Sequence, residues 1–527
     1  MAEPQPRGPR FLPVTPNSLL VELRDLDQTL ALLAALQADP LPAIAEIVPA
    51  ARTLLIRSLP GMAADAGLAA QVLARLPRAD RPLPLPRGPV IEIPVIYDGA
   101  DLDHAARHLD MSPRQLIEAH QAALWQVAFC GFAPGFAYMS SDDPRFDLPR
   151  RETPRTRIPA GSVALAGRFC GIYPQASPGG WQLIGRSALP VWDLSRDPPA
   201  LLQPGARCRF VAHRGPVHAA AVPPPPPNRP DRPGLQVLAS AFPITIQDRG
   251  RRGQAGQGVS ASGALDQGAL RRANRAVGNP PDTPALEITL GPVRLRADMP
   301  MVLALTGAGQ AHVGNHAIPP GAPFGVDAGD LITIAPPAAG MRSYLALRGG
   351  LDVARVLGSA SRDMLAHLGP DPLVAGAVLV PAHGAAQAVG APQPQPALPG
   401  PGQLVELPVT LGPRTDWFAP SQVRRFLGQE WQVTPDASRV GIRLQGRALH
   451  RAPGELPSEG TETGAIQIPH SGQPVLFLAD HPLTGGYPVI ATLRPEALDL
   501  AAQIPPGARI RFRAPAAFAP ITPRIPA

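Results

Sequence analysis

The chain contains no lysine, so all 48 of its basic residues are arginine. Without lysine it cannot form a Walker-A phosphate loop, a Schiff base, a Ser-Lys dyad or a biotinyl-lysine of its own. Arginine also explains why the pI reaches 10.1 at a net charge of only +7, because guanidinium groups stay protonated at high pH. The arginines are dispersed and are not interleaved with aromatic residues, so we predict no nucleic-acid binding.

Cysteine and long apolar runs are also scarce. The three cysteines, Cys130, Cys170 and Cys208, are far apart and form no CxxC pair, which predicts reduced thiols rather than a disulfide framework. No stretch approaches about eighteen uninterrupted apolar residues, and the first ten residues hold no apolar segment. We therefore expect neither a membrane span nor a signal peptide, and we predict a cytoplasmic protein.

Metal-binding and thiol patterns are weak. His104 and His108 have the four-residue spacing of a metal pair, but HAARH lacks the glutamate of a zinc protease and no third ligand is evident. Cys130 lies in an apolar Phe-Cys-Gly-Phe context, which favours a buried, inert thiol over a nucleophile. We predict no metal site.

Proline and glycine are abundant. The 527 residues include 71 prolines and 51 glycines, with 45% hydrophobic and 17% charged residues. This composition predicts a folded, β-rich α+β protein of several domains with short elements and many turns. Composition shifts and proline-rich stretches predict a small α+β domain at 1–85, a strand-rich domain at 86–221, a linker at 222–233, a region at 234–389, a second linker at 390–402 and a last domain at 403–527.

The run from Thr153 to Arg186 reads as short strands joined by a tight turn. In that turn, Gly179 and Gly180 have no side chain, which would let backbone amides face outward, and Trp181 would supply a flat wall beside them. An ordinary turn in a barrel wall is the alternative interpretation.

The chain repeats this block. TGGYPVIAT from Thr484 echoes PGGWQLIG, PPGARIRF from Pro505 echoes QPGARCRF from Gln203, and GAIQI from Gly464 echoes GSVAL from Gly161. Three echoes in the same order, roughly 300 residues apart, predict one β-module used twice.

Two long stretches carry a resemblance to a known family. VAFCGFAPGFAYMSSDDPRFDLPRRETPRTRIPAGSVALAG followed by GIYPQASPGGWQLIG resembles the first component of the allophanate hydrolase-like proteins, the B subunit of bacterial 5-oxoprolinase. ITIQDRGRRGQAGQGVSASGALDQGALRRANRAVGNPPDTPALEITLG, LALRGGLD, SEGTETGAIQIPHSGQPVLFLAD and TGGYPVIATL resemble the second component, the C subunit. The resemblance covers both halves nearly end to end.

The resemblance implies cyclophilin-like β-barrel modules preceded by a small α/β domain. It implies ATP-dependent hydrolysis of 5-oxo-L-proline to L-glutamate, with Mg²⁺ accompanying the ATP and with a separate A subunit of the LamB/YcsF-like family. One alternative is a carboxyltransferase component similar to urea carboxylase, whose biotin would arrive on another chain. Another is a non-catalytic protein that regulates a sporulation kinase. The oligomeric state stays open.

Opening a lactam requires cationic donors, an acid or base and a dry pocket. From the residues and the resemblance we expect catalytic roles for His120, Glu459, Asp480 and Tyr487. We expect substrate or nucleotide binding by Arg155, Arg157, Ser162, Gly179, Gly180, Trp181, Asp248, Arg348, Arg443, Gln467, Gly485 and Gly486.

Some of these residues have structural alternatives. His120 could be a helix-borne histidine satisfied by a backbone carbonyl, and Arg155 and Arg157 could be surface arginines. Asp266 stands where it could N-cap a helix. Arg251, Asn274 and Glu287 lie in the stretch most similar to the family. Val489 replaces a lysine that many members have after the TGGYP motif.

Overall fold

The computed structural model describes residues 8–77, 89–151, 153–215 and 232–524, which form four successive units. Most of the linker predicted at 222–233 lies outside the described residues. Strands dominate the second, third and fourth units, and the β-rich, multi-domain fold predicted from the sequence is confirmed.

The first unit is a four-stranded antiparallel sheet with two helices. Its strands stand in the order β1-β2-β4-β3. Asp25 and Asp65 cap the two helices through their side chains, and leucines on one face of α1 pack onto the sheet. The elements are β1 (Arg10–Thr15), β2 (Ser18–Glu22), α1 (Leu26–Ala38), β3 (Ile44–Pro49), β4 (Thr53–Ser58) and α2 (Ala66–Ala74).

The second unit, barrel one, has seven strands in the order β12-β9-β10-β7-β6-β13-β5. β5 and β13 run parallel, and a bridge from Ile96 to Arg186 brings the two edges together. A two-stranded flap of β8 and β11 stands apart from this sheet. The elements are β5 (Val90–Val95), α3 (Leu102–His108), α4 (Pro113–Ala122), β6 (Trp125–Cys130), β7 (Ala137–Ser141), β8 (Arg155–Ile158), β9 (Ser162–Ala166), β10 (Phe169–Ile172), β11 (Ser177–Gly179), β12 (Gln182–Arg186) and β13 (Arg207–Ala212).

The third unit is a β-sandwich. Its sheets have the orders β20-β19-β22-β17-β14-β24 and β15-β16-β23-β18-β21 and share one apolar core. Helix α5 packs on the outer face of the second sheet through alanines and Leu270. The elements are β14 (Leu235–Ser240), β15 (Ile244–Gln247), a 3-10 turn (Ala255–Gln257), α5 (Gln267–Ala276), β16 (Ala285–Thr289), β17 (Val293–Ala297), β18 (Met301–Gly307), β19 (Gln310–Val313), β20 (His316–Ala317), β21 (Pro323–Val326), β22 (Leu331–Ala335), β23 (Arg342–Leu347) and β24 (Val378–Leu379).

The fourth unit, barrel two, is closed, with the order β25-β32-β29-β30-β27-β26-β33. β25 and β33 run parallel, and a flap of β28 and β31 stands apart. The elements are β25 (Leu404–Leu411), a 3-10 turn (Thr415–Trp417), α6 (Pro420–Gly428), β26 (Trp431–Ala437), β27 (Gly441–Gln445), β28 (Glu459–Gly460), β29 (Ala465–Gln467), β30 (Val475–Phe477), β31 (Thr484–Gly485), β32 (Val489–Leu493), a second 3-10 turn (Pro495–Ala497), α7 (Leu498–Ala501) and β33 (Arg509–Arg513).

The two barrels are two copies of one module. Strand for strand, β5, β6, β7, β9, β10, β12 and β13 correspond to β25, β26, β27, β29, β30, β32 and β33, and each flap precedes the same strand. All three sequence echoes fall on corresponding strands. Gly161 and Gly464 precede β9 and β29 with φ of 80° and 87°, a left-handed conformation that glycine adopts without strain. The structure therefore agrees with the predicted reuse of one module.

The first unit contacts barrel two across almost the whole length of the chain. Phe11 forms a bridge with Ile521, and the guanidinium of Arg57 donates to Glu462 at 2.8 Å. The backbone N–H of Ala51 donates to the carbonyl of Ser458 at 3.1 Å. These contacts hold the N-terminal and C-terminal parts of the chain together around a shared junction.

Candidate functional site

The two glycine turns lie beside consecutive residues. The carbonyl of Gly180 accepts a hydrogen bond from the N–H of Arg151 at 2.8 Å. A Cβ atom placed on Gly486 would lie 3.6 Å from Nη1 of Arg150. The turn of barrel one and the turn of barrel two therefore meet at Arg150–Arg151.

The first glycine of each turn is needed for space rather than for backbone conformation. Among the described residues with positive φ, neither pair of turn glycines appears. A Cβ on Gly179 would lie 2.5 Å from the hydroxyl of Tyr173, and one on Gly485 would lie 2.9 Å from Nε2 of Gln467. Close packing against polar side chains is thus the reason for both glycines.

A cavity of about 310 Å³ opens at this meeting point, and we call it the junction pocket. Its walls are mostly apolar and aromatic, its polar groups come from both halves of the chain, and two carboxylates belong to its lining. It is lined by Ala51, Tyr138, Asp147, Pro149, Arg150, Ala166, Gly167, Phe169, Trp181, Glu455, Leu456, Pro457 and Ser458.

Tyr138 links the two barrels at the pocket. It is 5% exposed, and its hydroxyl lies within hydrogen-bonding reach of the Ser458 and Thr484 side chains. Burial raises the pKa of Tyr138, so the hydroxyl stays protonated and can donate a hydrogen bond. Thr484 adds a second link, because its Oγ1 accepts from the N–H of Phe132 at 3.1 Å.

Arg150 is the cation of the junction pocket. It is exposed, and it forms no hydrogen bond or ion pair with any described residue. Its neighbour Arg151 is different, because it donates to Asp101 at 2.6 Å. A free guanidinium beside aromatic walls can bind a carboxylate through two parallel hydrogen bonds.

Comparisons with known proteins agree with the division into two halves. A carboxyltransferase domain family model, subdomains C and D, matches residues 9–202, and the model for subdomains A and B matches residues 257–514. The C subunit of 5-oxoprolinase from Escherichia coli K12 is 37% identical over 282 residues, which is 53% of this chain and 90% of that protein. The B subunit of 5-oxoprolinase from Escherichia coli O157:H7 is 40% identical over 181 residues, which is 33% of this chain and 80% of that protein.

The chain belongs to the family of the 5-oxoprolinase B and C subunits. It fuses the two in one polypeptide, and the relatives are enzyme components. A crystal structure of TTHA0988 has a TM-score of 0.82 and 36% identity, and the match covers 94% of this chain and 99% of that one. Urea amidolyase of Saccharomyces cerevisiae is 33% identical over 301 residues, 53% of this chain but 16% of that protein.

In the B-like half (8–215), several predicted binding residues lie near the pocket but already have partners. Arg155 donates to both carboxylate oxygens of Asp101 at 2.7 and 2.8 Å. Ser162 is buried and donates to the carbonyl of Pro159 at 2.8 Å. Arg157 is exposed on β8. Trp181 alone among these lines the cavity.

In the C-like half (232–524), the predicted residues near the second glycine turn form a packed set. Glu459 pairs with Gly485 across the flap, and its carboxylate accepts from Nε of Arg414 at 3.0 Å. Nε2 of Gln467 donates to the carbonyl of Tyr487 at 3.1 Å. The Tyr487 ring is 38% exposed and packs edge-to-face against the ring of His470. These residues brace the turn beside Arg150.

His120, predicted as an acid or base, lies in the core of barrel one. Its side chain is fully buried; Nδ1 lies 2.8 Å from the Tyr97 hydroxyl and Nε2 lies 3.4 Å from Sγ of Cys170. Burial lowers the pKa of His120 to about 3, so the ring is neutral. The structure places it among core aromatics, away from the pocket.

Four further predicted residues lie away from the pocket. Asp480 is fully buried and accepts from Arg439 and from Ser262. Asp248 is buried and accepts from the hydroxyls and an N–H of the loop at 359–361. Nη1 of Arg348 donates to two backbone carbonyls, and Arg443 is exposed on β27.

The other residues named from the family-like stretches have structural roles. Asp266 caps α5, accepting from the N–H of Ala269 at 2.7 Å. Asn274 donates to the carbonyl of Thr283, and Glu287 accepts from the Tyr344 hydroxyl at 2.7 Å. Arg251 is buried and donates to the carbonyl of Ser361. Val489, in the place of the family lysine, packs in a small apolar cluster.

Apart from Trp181, the residues that line the pocket were not predicted, and these include the three polar residues assigned roles here, Tyr138, Arg150 and Ser458. Tyr138 and Arg150 stand within the long B-like motif, and Ser458 precedes the flap glutamate. Only their placement within the family-like stretches pointed to them.

The described part of the chain offers no group of three or more His, Cys, Asp or Glu that could hold a metal ion. No helix within the described ranges is long and apolar enough to cross a membrane.

Proposed function

We propose that this chain is the fused B and C component of an ATP-dependent 5-oxoprolinase. It binds 5-oxo-L-proline in the junction pocket and converts it to L-glutamate together with a separate A subunit. The observation that carries this proposal is the guanidinium of Arg150, which pairs with no described residue and lies in an aromatic pocket built from both halves.

The chemistry of the pocket suits a small amide that carries one carboxylate. Arg150 would hold the carboxylate, and the flat lactam ring would lie against Trp181 and Phe169. The protonated hydroxyl of Tyr138 and the hydroxyl of Ser458 would be donors for the lactam carbonyl. A volume of about 310 Å³ fits a ligand of this size and leaves no room for a nucleoside triphosphate beside it.

The proposed reaction balances with ATP and water as co-substrates. The lactam carbonyl oxygen attacks the γ-phosphorus of ATP and ADP leaves; water then adds to the activated carbon. The C–N bond breaks and the nitrogen takes up a proton, which leaves an acyl phosphate. A second water adds to its carbonyl carbon, and phosphate leaves with the former carbonyl oxygen, so the new carboxylate takes both of its oxygens from water. The products are glutamate, ADP and phosphate.

A carboxyltransferase role is the second candidate. It is favoured by the carboxyltransferase family models and by the match to urea amidolyase. Because this chain has no lysine, the carboxybiotin would have to arrive on another protein.

The test is an assay of the purified chain with an A subunit, 5-oxo-L-proline and MgATP. We expect equal amounts of glutamate and ADP. The variant Arg150→Gln should raise KM for 5-oxoproline about tenfold or more, because a charge-assisted contact is lost. Arg209→Gln, which changes an exposed arginine on β13, is the matched control and should leave the kinetics unchanged.

Two results would count against the proposal. Wild-type kinetics in Arg150→Gln would remove Arg150 and the pocket from the reaction. Carboxyl transfer from a biotin donor, with no glutamate formed, would favour the carboxyltransferase role.

A further inference from the structure

A second, larger cavity lies in the sandwich unit, far from the glycine turns in the sequence. It has a volume of about 690 Å³ and lies between helix α5 and the extended segment that follows β24. We call it the arginine groove. It is lined by Gly268, Arg271, Arg272, Arg275, Asn279, Pro281, Gln387, Gln393 and Pro394.

Two arginines of the groove have no partner among the residues that the structure describes. Arg271 and Arg275 are exposed, and neither forms a side-chain hydrogen bond or ion pair with another described residue. Four residues apart on a helix, they lie on the same face, where like charges repel. Arg272 is partly compensated, because its Nη2 lies 4.0 Å from Asp266.

The rest of the groove adds donors and no negative charge. None of the nine residues that line it is acidic. The side chains of Gln387 and Gln393 also have no hydrogen-bond partner in the described part of the chain. The nearby carboxylate of Asp499 accepts from the N–H groups of Gln267 and Gly268 at 2.9 and 3.0 Å and is thus engaged by the start of α5.

The helix dipole explains only part of this arrangement. Arg275 stands in the last turn of α5, where a cation is favourable. Arg271 stands in the middle of the helix, where that effect has faded, so an anion between the two guanidinium groups is the simplest compensation.

We infer that the arginine groove binds a phosphate-bearing anion. Forked guanidinium donors and amide side chains match phosphate oxygens, and the volume accommodates a nucleoside triphosphate, with Pro281 and Pro394 as apolar surface for a base. The inference deepens the proposed function, which needs a triphosphate that the junction pocket cannot hold, and it therefore rests on that function for its role.

The test measures binding directly by isothermal titration calorimetry, without turnover. The probes are MgATP, inorganic pyrophosphate, inorganic phosphate, adenosine and glutamate, each added to the full chain. The double variant Arg271→Gln/Arg275→Gln should weaken the binding of the phosphate probes at least about tenfold. Arg294→Gln, which changes an exposed arginine on β17, is the matched control and should bind as wild type. Both variants change exposed side chains, and their thermal unfolding midpoints should match wild type.

The set of probes shows which part of the anion the groove recognises. Binding of pyrophosphate as well as MgATP assigns recognition to the phosphates, and binding of MgATP alone assigns it to a nucleotide. Either result supports the inference if the double variant loses the binding. It is overturned if no phosphate probe binds, if the double variant binds as wild type, or if adenosine or glutamate binds equally well. The Arg150→Gln assay does not depend on this result, so the two proposals can fail separately.

Discussion

The two barrels place an ion pair at corresponding positions but with opposite polarity. In barrel one, Asp101 at the start of the first helical segment accepts from Arg155 on the flap at 2.7 Å. In barrel two, Arg414 at the corresponding start donates to Glu459 on the flap at 3.0 Å. Each flap residue pairs with the glycine that begins its turn, Gly179 or Gly485. The link between helix start and flap is retained while the charges exchange places, which indicates that these charges position the turns.

The aromatic cores of the two barrels also correspond position for position. Nε1 of Trp125 donates to the carbonyl of His120 at 3.1 Å, and Nε1 of Trp431 donates to the carbonyl of Phe426 at 3.0 Å. The His120 ring lies 4.3 Å from the Phe210 ring, and Phe426 stacks at 4.8 Å on the equivalent phenylalanine of β33. His120 therefore occupies a position that barrel two fills with a hydrocarbon ring.

The largest expected effect comes from breaking the ion pair of barrel two. Arg414→Met leaves the carboxylate of Glu459 buried without its cation, because the Arg414 and Glu459 side chains are only 3% and 8% exposed, whereas Glu22 keeps its ion pair with Arg10. We expect a loss of about 3–5 kcal/mol in the free energy of unfolding, measured by urea denaturation.

The corresponding change in barrel one should cost much less stability. Arg155→Met should cost about 1 kcal/mol or less, because the Arg155 side chain is 25% exposed and Asp101 keeps Arg151. Equal losses in the two variants would show that the two ion pairs do not differ in burial as described.

The second effect depends on pH. The folded pKa of His120 is about 3 and the unfolded pKa is about 6.5, so between these values the unfolded chain binds a proton that the folded chain does not. His120 thus removes about 1.4 kcal/mol of stability per pH unit as pH falls through this window. His120→Phe should make the fall in thermal stability below pH 6 shallower and should leave turnover near neutral pH intact.

Parallel curves of thermal stability against pH for wild type and His120→Phe would contradict the assignment of His120 as a neutral core residue. A variant that keeps its stability but loses turnover would restore the predicted catalytic role.

A further comparison concerns the two glycines within one turn. Gly179→Ala places a methyl group against the Tyr173 hydroxyl and should cost about 1–3 kcal/mol. Gly180→Ala, whose Cβ would have its nearest contact at 3.7 Å, should cost less than about 0.5 kcal/mol. Thermal unfolding of both variants checks this, and the reverse order would show that the turn packs differently.

Sequence patterns predicted what depends on neighbouring residues. Asp266, which the sequence placed where it could cap a helix, caps α5. The three repeated segments predicted the duplicated barrels, because each segment lies within a single strand and its adjoining turn.

Residues brought together from distant parts of the chain were harder to predict. Tyr138 meets Ser458 only because the two barrels pack together, and no local pattern records that contact. Asp480 and Glu459 look like site carboxylates in the sequence, but arginines 41 and 45 residues away neutralise them. A charged residue in an apolar strand has the same sequence signal whether it meets a ligand or a buried partner.

The most direct test of the junction pocket is equilibrium dialysis of labelled 5-oxo-L-proline against the full chain and its Arg150→Gln variant, each in complex with an A subunit. We predict saturable binding to wild type, weakened about tenfold or more in Arg150→Gln, with Arg209→Gln unchanged. Equal binding to wild type and Arg150→Gln, or no binding to wild type, would contradict the assignment of this pocket to the substrate.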